Sequence, residues 1–317
     1  MNRRALPVTL TLAGLTWLAA ASAAAGTRIE KDLTLAPGGE FRIETDLGAV
    51  TVKGSPDSGA HVVVTSRRKD LDDLLTFRFE EGAGSATVIA KKKHPMSWFS
   101  DLGDHVEYEI RVPTETRLSV DTSGGSIRIS NLKGAARLNT SGGGITVSSL
   151  TGDLNAETSG GSIDLRGVTG KIRVETSGGG ITGSNLDGTV HAESSGGSIE
   201  IQKVTGDVDA ETSGGGIRIT DAGGRIQANT SGGSIDASFT KGNSRGGTLE
   251  TSGGGIEVSV DPDADLSIQA SGTSVKTDLP LRVQGEIGRG HLNGSLGKGG
   301  NTLRLHTSGG SVRIQSI

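Results

Sequence analysis

The sequence predicts an all-β chain wound as a parallel β-helix, or β-solenoid, with 18-residue coils and a β-rich N-terminal cap. Three observations carry that prediction. The phrase TSGG[SG]I recurs at a fixed step of 18 residues. Apolar residues flank it at period two, the pattern of strands with one buried face. Gly makes up 52 of 317 residues and falls periodically among Ile, Val and Leu, which marks a repeat protein and argues against disorder or collagen. Aromatics at 3% argue against an ordinary core-rich α/β enzyme. The absence of Cys removes disulfides, thiolate metal sites and Cys nucleophiles.

The N-terminus sets the compartment. Arg3 and Arg4 precede an apolar run from Ala5 to Ala20, and Ala21-Ser22-Ala23 and Ala23-Ala24-Ala25 offer small-residue cleavage sites. Residues 1–25 therefore read as a secretory signal peptide, and the expected location is periplasm, cell surface or medium. An uncleaved anchor is the alternative, since the run is marginally long enough. Removing these residues takes two Arg and no acid, so the formal charge moves from −4 to −6. Nucleic acid is not an expected partner of such a chain.

Residues 26–117 hold most aromatics of the mature chain, among them Phe41, Phe77, Phe79, Trp98, Phe99 and Tyr108. Strand-like runs are Glu40–Thr45, His61–Thr65, Leu75–Glu80, Ala86–Lys91 and Val106–Val112. This section is expected to cap the solenoid, because an open terminal coil exposes unpaired strand edges.

Residues 118–280 carry the repeat. Copies start at Thr122, Thr140, Thr158, Thr176, Ser194, Thr212 and Thr230, and then at Thr251 after a step of 21. Numbered from its Thr, position 6 is Ile in all eight copies, from Ile127 to Ile256. Positions 8, 11, 15 and 17 are mostly apolar, position 13 is mostly Gly, and positions 7, 14, 16 and 18 are mostly polar. Each unit reads as strand, turn around position 13, strand, and turn at SGG. The glycines are expected where the chain reverses and positive φ is needed. One unit cannot bury its own apolar row, but stacked units bury a continuous one. Position 5 alternates between Ser and Gly, which leaves a 36-residue coil as the alternative. Weaker echoes are TDLGAVTV from Thr45, ASGTSV from Ala270 and TSGGSV from Thr307. Residues 281–317 are expected to close the far end.

The repeated TSGG[SG]I-x-[IVL] phrase, behind a signal peptide and a strand-rich entry, resembles the bacterial "putative adhesin" family of β-strand repeats. That family is a domain of unknown function related to the head domain of autotransporter adhesins. The resemblance implies a β-helical, extracytoplasmic, non-enzymatic protein. It supplies no catalytic residues to carry over.

Position 18 is acidic in a run of coils: Glu157, Glu175, Glu193 and Glu211, with Asp121 and Glu250 further out. In-register stacking would line these carboxylates up on an outer face. Such a column could attract Ca²⁺ or a cationic surface. The favoured reading is a solvated face neutralised by Lys171, Arg173 and His191. The calcium nonapeptide motif does not fit, because its ligand slots here hold Ile. Gly178-x-Gly180-x-x-Gly183 and Gly242-Asn243-Ser244-Arg245-Gly246 are by-products of the repeat and its insertion, with no helix following either. The loop Lys91–His105 presents Trp98 and Phe99, either to a glycan, membrane or partner, or as a lid on the core. Arg67-Arg68-Lys69 and Lys91-Lys92-Lys93 are short basic clusters. Thr at position 1 shares the inward parity of positions 15 and 17, whereas Ser at position 2 points outward. No catalytic, metal or cofactor residue is assigned. The expected function is an adhesin or cell-envelope interaction module, with a cell-surface glycan or envelope protein as partner. A polysaccharide-cleaving β-helix enzyme is the alternative.

Overall fold

The computed structural model describes residues 26–93, 106–283 and 288–317. They form two long sheets of 14 and 15 mostly parallel strands, an all-β architecture consistent with a β-solenoid. Each repeat gives one strand to each sheet. Ile145–Thr151 enters the first sheet and Leu154–Thr158 the second. In the first sheet Ile145 lies opposite Ile163, and Ile163 opposite Ile181. In the second, Leu154 lies opposite Ile172, and Ile172 opposite Val190. Equivalent residues of consecutive copies therefore stack directly on one another. The eight position-6 isoleucines are at most 2% exposed. Burying each contributes about 1.5–3 kcal/mol, so this column is a principal source of stability. Among the described residues no helix is long and apolar enough to cross a membrane.

The first-sheet strands contain a bend. Apolar side chains point inward at positions 6, 8 and 11, which strict alternation forbids. The parity change is absorbed at position 10, where Asn131, Ser149, Asn185, Lys203 and Asp221 take φ of 53° to 57° and Gly167 takes 62°. Position 10 is skipped in the pairing: Ser148 faces Arg166 and Leu150 faces Val168. From Asn131 to Asp221 one left-handed residue per copy, in the same register on each neighbouring strand, makes a bend that turns the strand back toward the core.

The SGG glycines have a different reason from the one expected. They do not take positive φ. Instead, a methyl group on Gly143 would collide with the carbonyl of Gly125, and one on Gly161 with that of Gly143. Position 4 is Gly because backbones of adjacent copies touch there. At position 13, Gly134, Gly152, Gly170 and Gly188 combine both demands: Gly152 has φ 145°, and a side chain there would strike the Gly134 carbonyl, whereas Gly206 and Gly224 meet only the close contact.

Position-1 hydroxyls stitch these turns together. Thr140, Thr158, Thr176 and Thr212 donate to Gly125, Gly143, Gly161 and Gly197 carbonyls at 2.7–2.8 Å. Each also accepts from the position-4 amide of its own turn, as Gly143 donates to Thr140 at 3.3 Å. All are buried. At the N-terminal end Thr122 donates to the Gly48 carbonyl, and Thr45 shares a 2.9 Å hydrogen bond with the phenol of Tyr108. Burial pushes that phenol up to about 12.

The insertion before Thr251 plugs the adjoining corner. The Asn243 amide donates to the carbonyls of Ala222 and Gly224 at 2.8 and 3.0 Å. Backbone amides of Asp263 and Gly242 donate to the buried Asp261 carboxylate and hold its pKa below the usual range.

Strand order departs from chain order at both ends. Glu40–Thr45 lies between Arg117–Thr122 and Ser85–Lys92, with Leu75–Gly82 antiparallel outside. At the other end Asn301–Thr307 lies between Gly247–Thr251 and Leu266–Ser271. The last segment of the chain thus sits one rung inside the segment that precedes it. His291–Leu296 pairs antiparallel on the outside.

Candidate interaction surface

The second sheet turns positions 15 and 17 inward and leaves 14, 16 and 18 on its outer face. Backbone pairing brings the predicted acidic residues together: Glu157 faces Glu175, Glu175 faces Glu193 and Glu193 faces Glu211. Adjacent strands are about 4.8 Å apart, so this is a continuous column of like charge. Counter-charges are few. Arg173 lies 3.7 Å from Glu175, and His191 lies 3.9 Å from Glu193 and 3.0 Å from Asp209. Among the described residues Glu157 and Glu211 have no cation within 4 Å, and no group of three or more acidic or His side chains is arranged to hold a metal. Trp98 and Phe99 lie outside the described residues.

Beside the acidic column runs a groove of about 860 Å³, lined by positions 14 to 16 of eight consecutive strands, from Glu40 and Arg42 to Arg225 and Gln227. Its floor is the strand backbone along position 15, where the side chains of Leu118, Leu154, Ile172 and Val190 turn into the core and are each at most 3% exposed. Its walls carry Arg42, Arg117, Arg137, Lys171, Arg173 and Arg225 against Glu40, Asp153, Asp207 and Asp209. The sequence reading placed polar residues at 14 and 16 but did not see this groove. The signal for its basic half is position 16, where Arg42, Arg137 and Arg173 alternate with Ser119 and Asn155. A smaller hollow of about 330 Å³ lies at the far end of the acidic column, where Glu211, Glu250 and His306 converge with the hydroxyls of positions 1 and 2.

Within the two basic clusters, Lys91 and Arg68 are held in ion pairs. Lys91 contacts Glu44 at 2.5 Å and Asp46 at 3.1 Å, which holds the Glu44 carboxyl below its usual range and pushes the Lys91 ammonium up. Arg68 pairs with Asp70 at 2.8 Å.

Comparison with known proteins agrees with this geometry at the level of family. No curated protein matches the chain in sequence. Among solved structures, a putative adhesin from Bacteroides fragilis NCTC 9343 is 13% identical over 92% of this chain and 97% of its own, with a TM-score of 0.32. A putative lipid binding protein from Parabacteroides distasonis ATCC 8503 is 14% identical over 92% and 96%, with a TM-score of 0.30. A putative cell adhesion protein from Clostridium sporogenes ATCC 15579 is 10% identical over 92% and 100%, with a TM-score of 0.27. The Toastrack DUF4097 family model matches residues 40–315, nearly the whole of both sheets. With its stacked SGG units inside that span, the chain belongs to the Toastrack DUF4097 family.

Proposed function

We propose that this protein is an extracytoplasmic, non-catalytic β-solenoid that acts as an adhesive or structural binding module of the cell envelope. In this reading residues 1–25 are a cleaved signal peptide and residues 26–117 cap one end. Residues 118–280 form the stack, one 18-residue unit per coil, and residues 281–317 close the other end. A cell-surface glycan or an envelope protein is the partner.

The observation that carries the reading is the groove across eight strands. Charged groups along it are distributed rung by rung, which suits an extended partner. A hydrolytic centre needs acid and base converging on one bond. The outward carboxylates of this sheet repeat along the stack instead.

Fractionation of the native cell, with pull-down by chain 26–317, tests the proposal. Recovery outside the cytoplasm and retention on envelope material are the expected results. A cytoplasmic protein that is not retained by envelope fractions overturns it.

A further inference from the structure

We infer that the basic half of the second-sheet groove binds a linear anionic glycan bearing one acidic group per disaccharide, lying along the stack axis. The inference rests on the binding-module reading above and specifies its ligand.

From Arg42 to Arg173, cations occupy every second rung of position 16. Arg42 faces Ser119, Ser119 faces Arg137, Arg137 faces Asn155, and Asn155 faces Arg173. Successive arginines are therefore two strands apart, about 9.6 Å at the usual strand spacing. That interval is close to the repeat of a disaccharide in an extended glycan chain. Guanidinium is also the group best matched to a carboxylate, which it binds through two parallel N–H donors.

These cations are available. Arg117, Arg137 and Lys171 have no carboxylate within 4 Å among the described residues. Arg42 and Arg173 each approach only the Glu two residues along, at 3.7 Å. Over the five rungs from Glu40 to Arg173 the groove carries five cations against Glu40 and Asp153. Ser119 and Asn155 offer hydrogen bonds between the position-16 arginines. The Glu157 and Glu175 column on one side repels an anionic chain and confines it over position 16.

The test is calorimetric titration of chain 26–317 with a hyaluronan decasaccharide, which alternates uronate with neutral sugar. The same oligosaccharide with its carboxylates methyl-esterified and a polyphosphate of similar length are the comparisons. The expected result is binding of the acidic oligosaccharide, with the ester and polyphosphate at least about tenfold weaker. Arg137→Gln with Arg173→Gln should lose about tenfold or more, the scale of charge-assisted hydrogen bonds, while Glu211→Gln outside the groove changes affinity less than twofold. Unchanged melting temperatures establish that the variants fold. Equal binding of the ester overturns the acidic specificity, and equal binding of polyphosphate overturns the glycan. Retention on envelope fractions without oligosaccharide binding overturns this inference alone, whereas loss of both overturns the binding-module reading too.

Discussion

The hydroxyl of Thr158 donates to the carbonyl of Gly143 at 2.7 Å and accepts from the amide of Gly161 at 3.2 Å. One side chain thereby closes its own SGG turn and ties it to the turn of the preceding copy. Ser194 does the same toward Gly179 at 2.9 Å, so the hydroxyl matters more than the methyl. Thr158→Val leaves a buried carbonyl and amide without that partner and should cost about 1–3 kcal/mol. Thr158→Ser should cost under about 1 kcal/mol. Urea unfolding of the two variants checks the contrast, and equal stability would remove the ladder from the account.

Two neighbouring glycines should respond differently to the same methyl group. At Gly143 it meets the Gly125 carbonyl inside van der Waals contact, whereas at Gly142 the nearest atom is 3.5 Å away. Gly143→Ala should lower the melting temperature by several degrees, as expected for a core overpacked by about 1–3 kcal/mol. Gly142→Ala should stay within about 0.5 kcal/mol of the parent, since its φ is not in the left-handed region.

Lys203 is exposed and holds φ 54° at the left-handed bend. A non-Gly residue there costs about 1–2 kcal/mol, partly offset by the greater unfolded-chain entropy of Gly. Lys203→Gly should stabilise by about 0.5–1 kcal/mol. At Gly167, φ 62°, no neighbouring atom lies closer than 4.0 Å, so Gly167→Val tests backbone strain alone and should destabilise by about 1–2 kcal/mol. Thermal denaturation of both variants, with opposite signs, checks the bend.

Tyr108 links the hydroxyl ladder to alkaline stability. Its phenol ionises near pH 10 when unfolded and at about 12 when buried. The raised folded pKa means that stability is fully present below pH 10 and is lost as pH rises toward 12. The loss is on the order of 2–3 kcal/mol. Tyr108→Phe should flatten that fall while weakening the protein at pH 8 through the lost contact to Thr45. A stability profile from pH 8 to 12 that is unchanged in the variant would contradict the assignment.

Glu193 stands between Glu175 and Glu211 in the acidic column. If the column is a solvated face, Glu193→Gln relieves repulsion and stabilises by about 0.2–1 kcal/mol at low salt. The difference should vanish near 1 M salt, where screening is short-ranged. Millimolar calcium should leave the melting temperature of the parent unchanged, and a rise abolished by Glu193→Gln would reinstate a cation site.

Much of this was legible from residues alone, because repeat spacing and inward parity are local. Ile at position 6 and Thr at position 1 point inward for the same steric reason in every copy. Backbone pairing at a constant offset then aligns Glu157 through Glu211 without further information. The bend was half legible: apolar residues at 6, 8 and 11 break alternation, but only the φ of Asn131 and Lys203 shows how the strand absorbs it. The glycine count pointed to turns, yet the reason at Gly143 is contact with a neighbouring copy, which single-chain turn chemistry does not reveal.

The repeat, its buried rows and its outer charges follow from side-chain chemistry read in steps of two and eighteen residues. The order of the terminal units does not. Leu266–Ser271 precedes Asn301–Thr307 in the chain, yet Asn301–Thr307 pairs directly with Gly247–Thr251 and Leu266–Ser271 lies outside it, with Ala270 facing Leu305. In that placement Thr307 stacks on Thr251 and continues the hydroxyl ladder, donating to the Gly254 carbonyl at 2.6 Å. The groove is decided in the same way. Arg42 and Arg137 are 95 residues apart in sequence and two strands apart in the sheet. Local periodicity sets which way each side chain faces, and long-range pairing sets which side chains become neighbours.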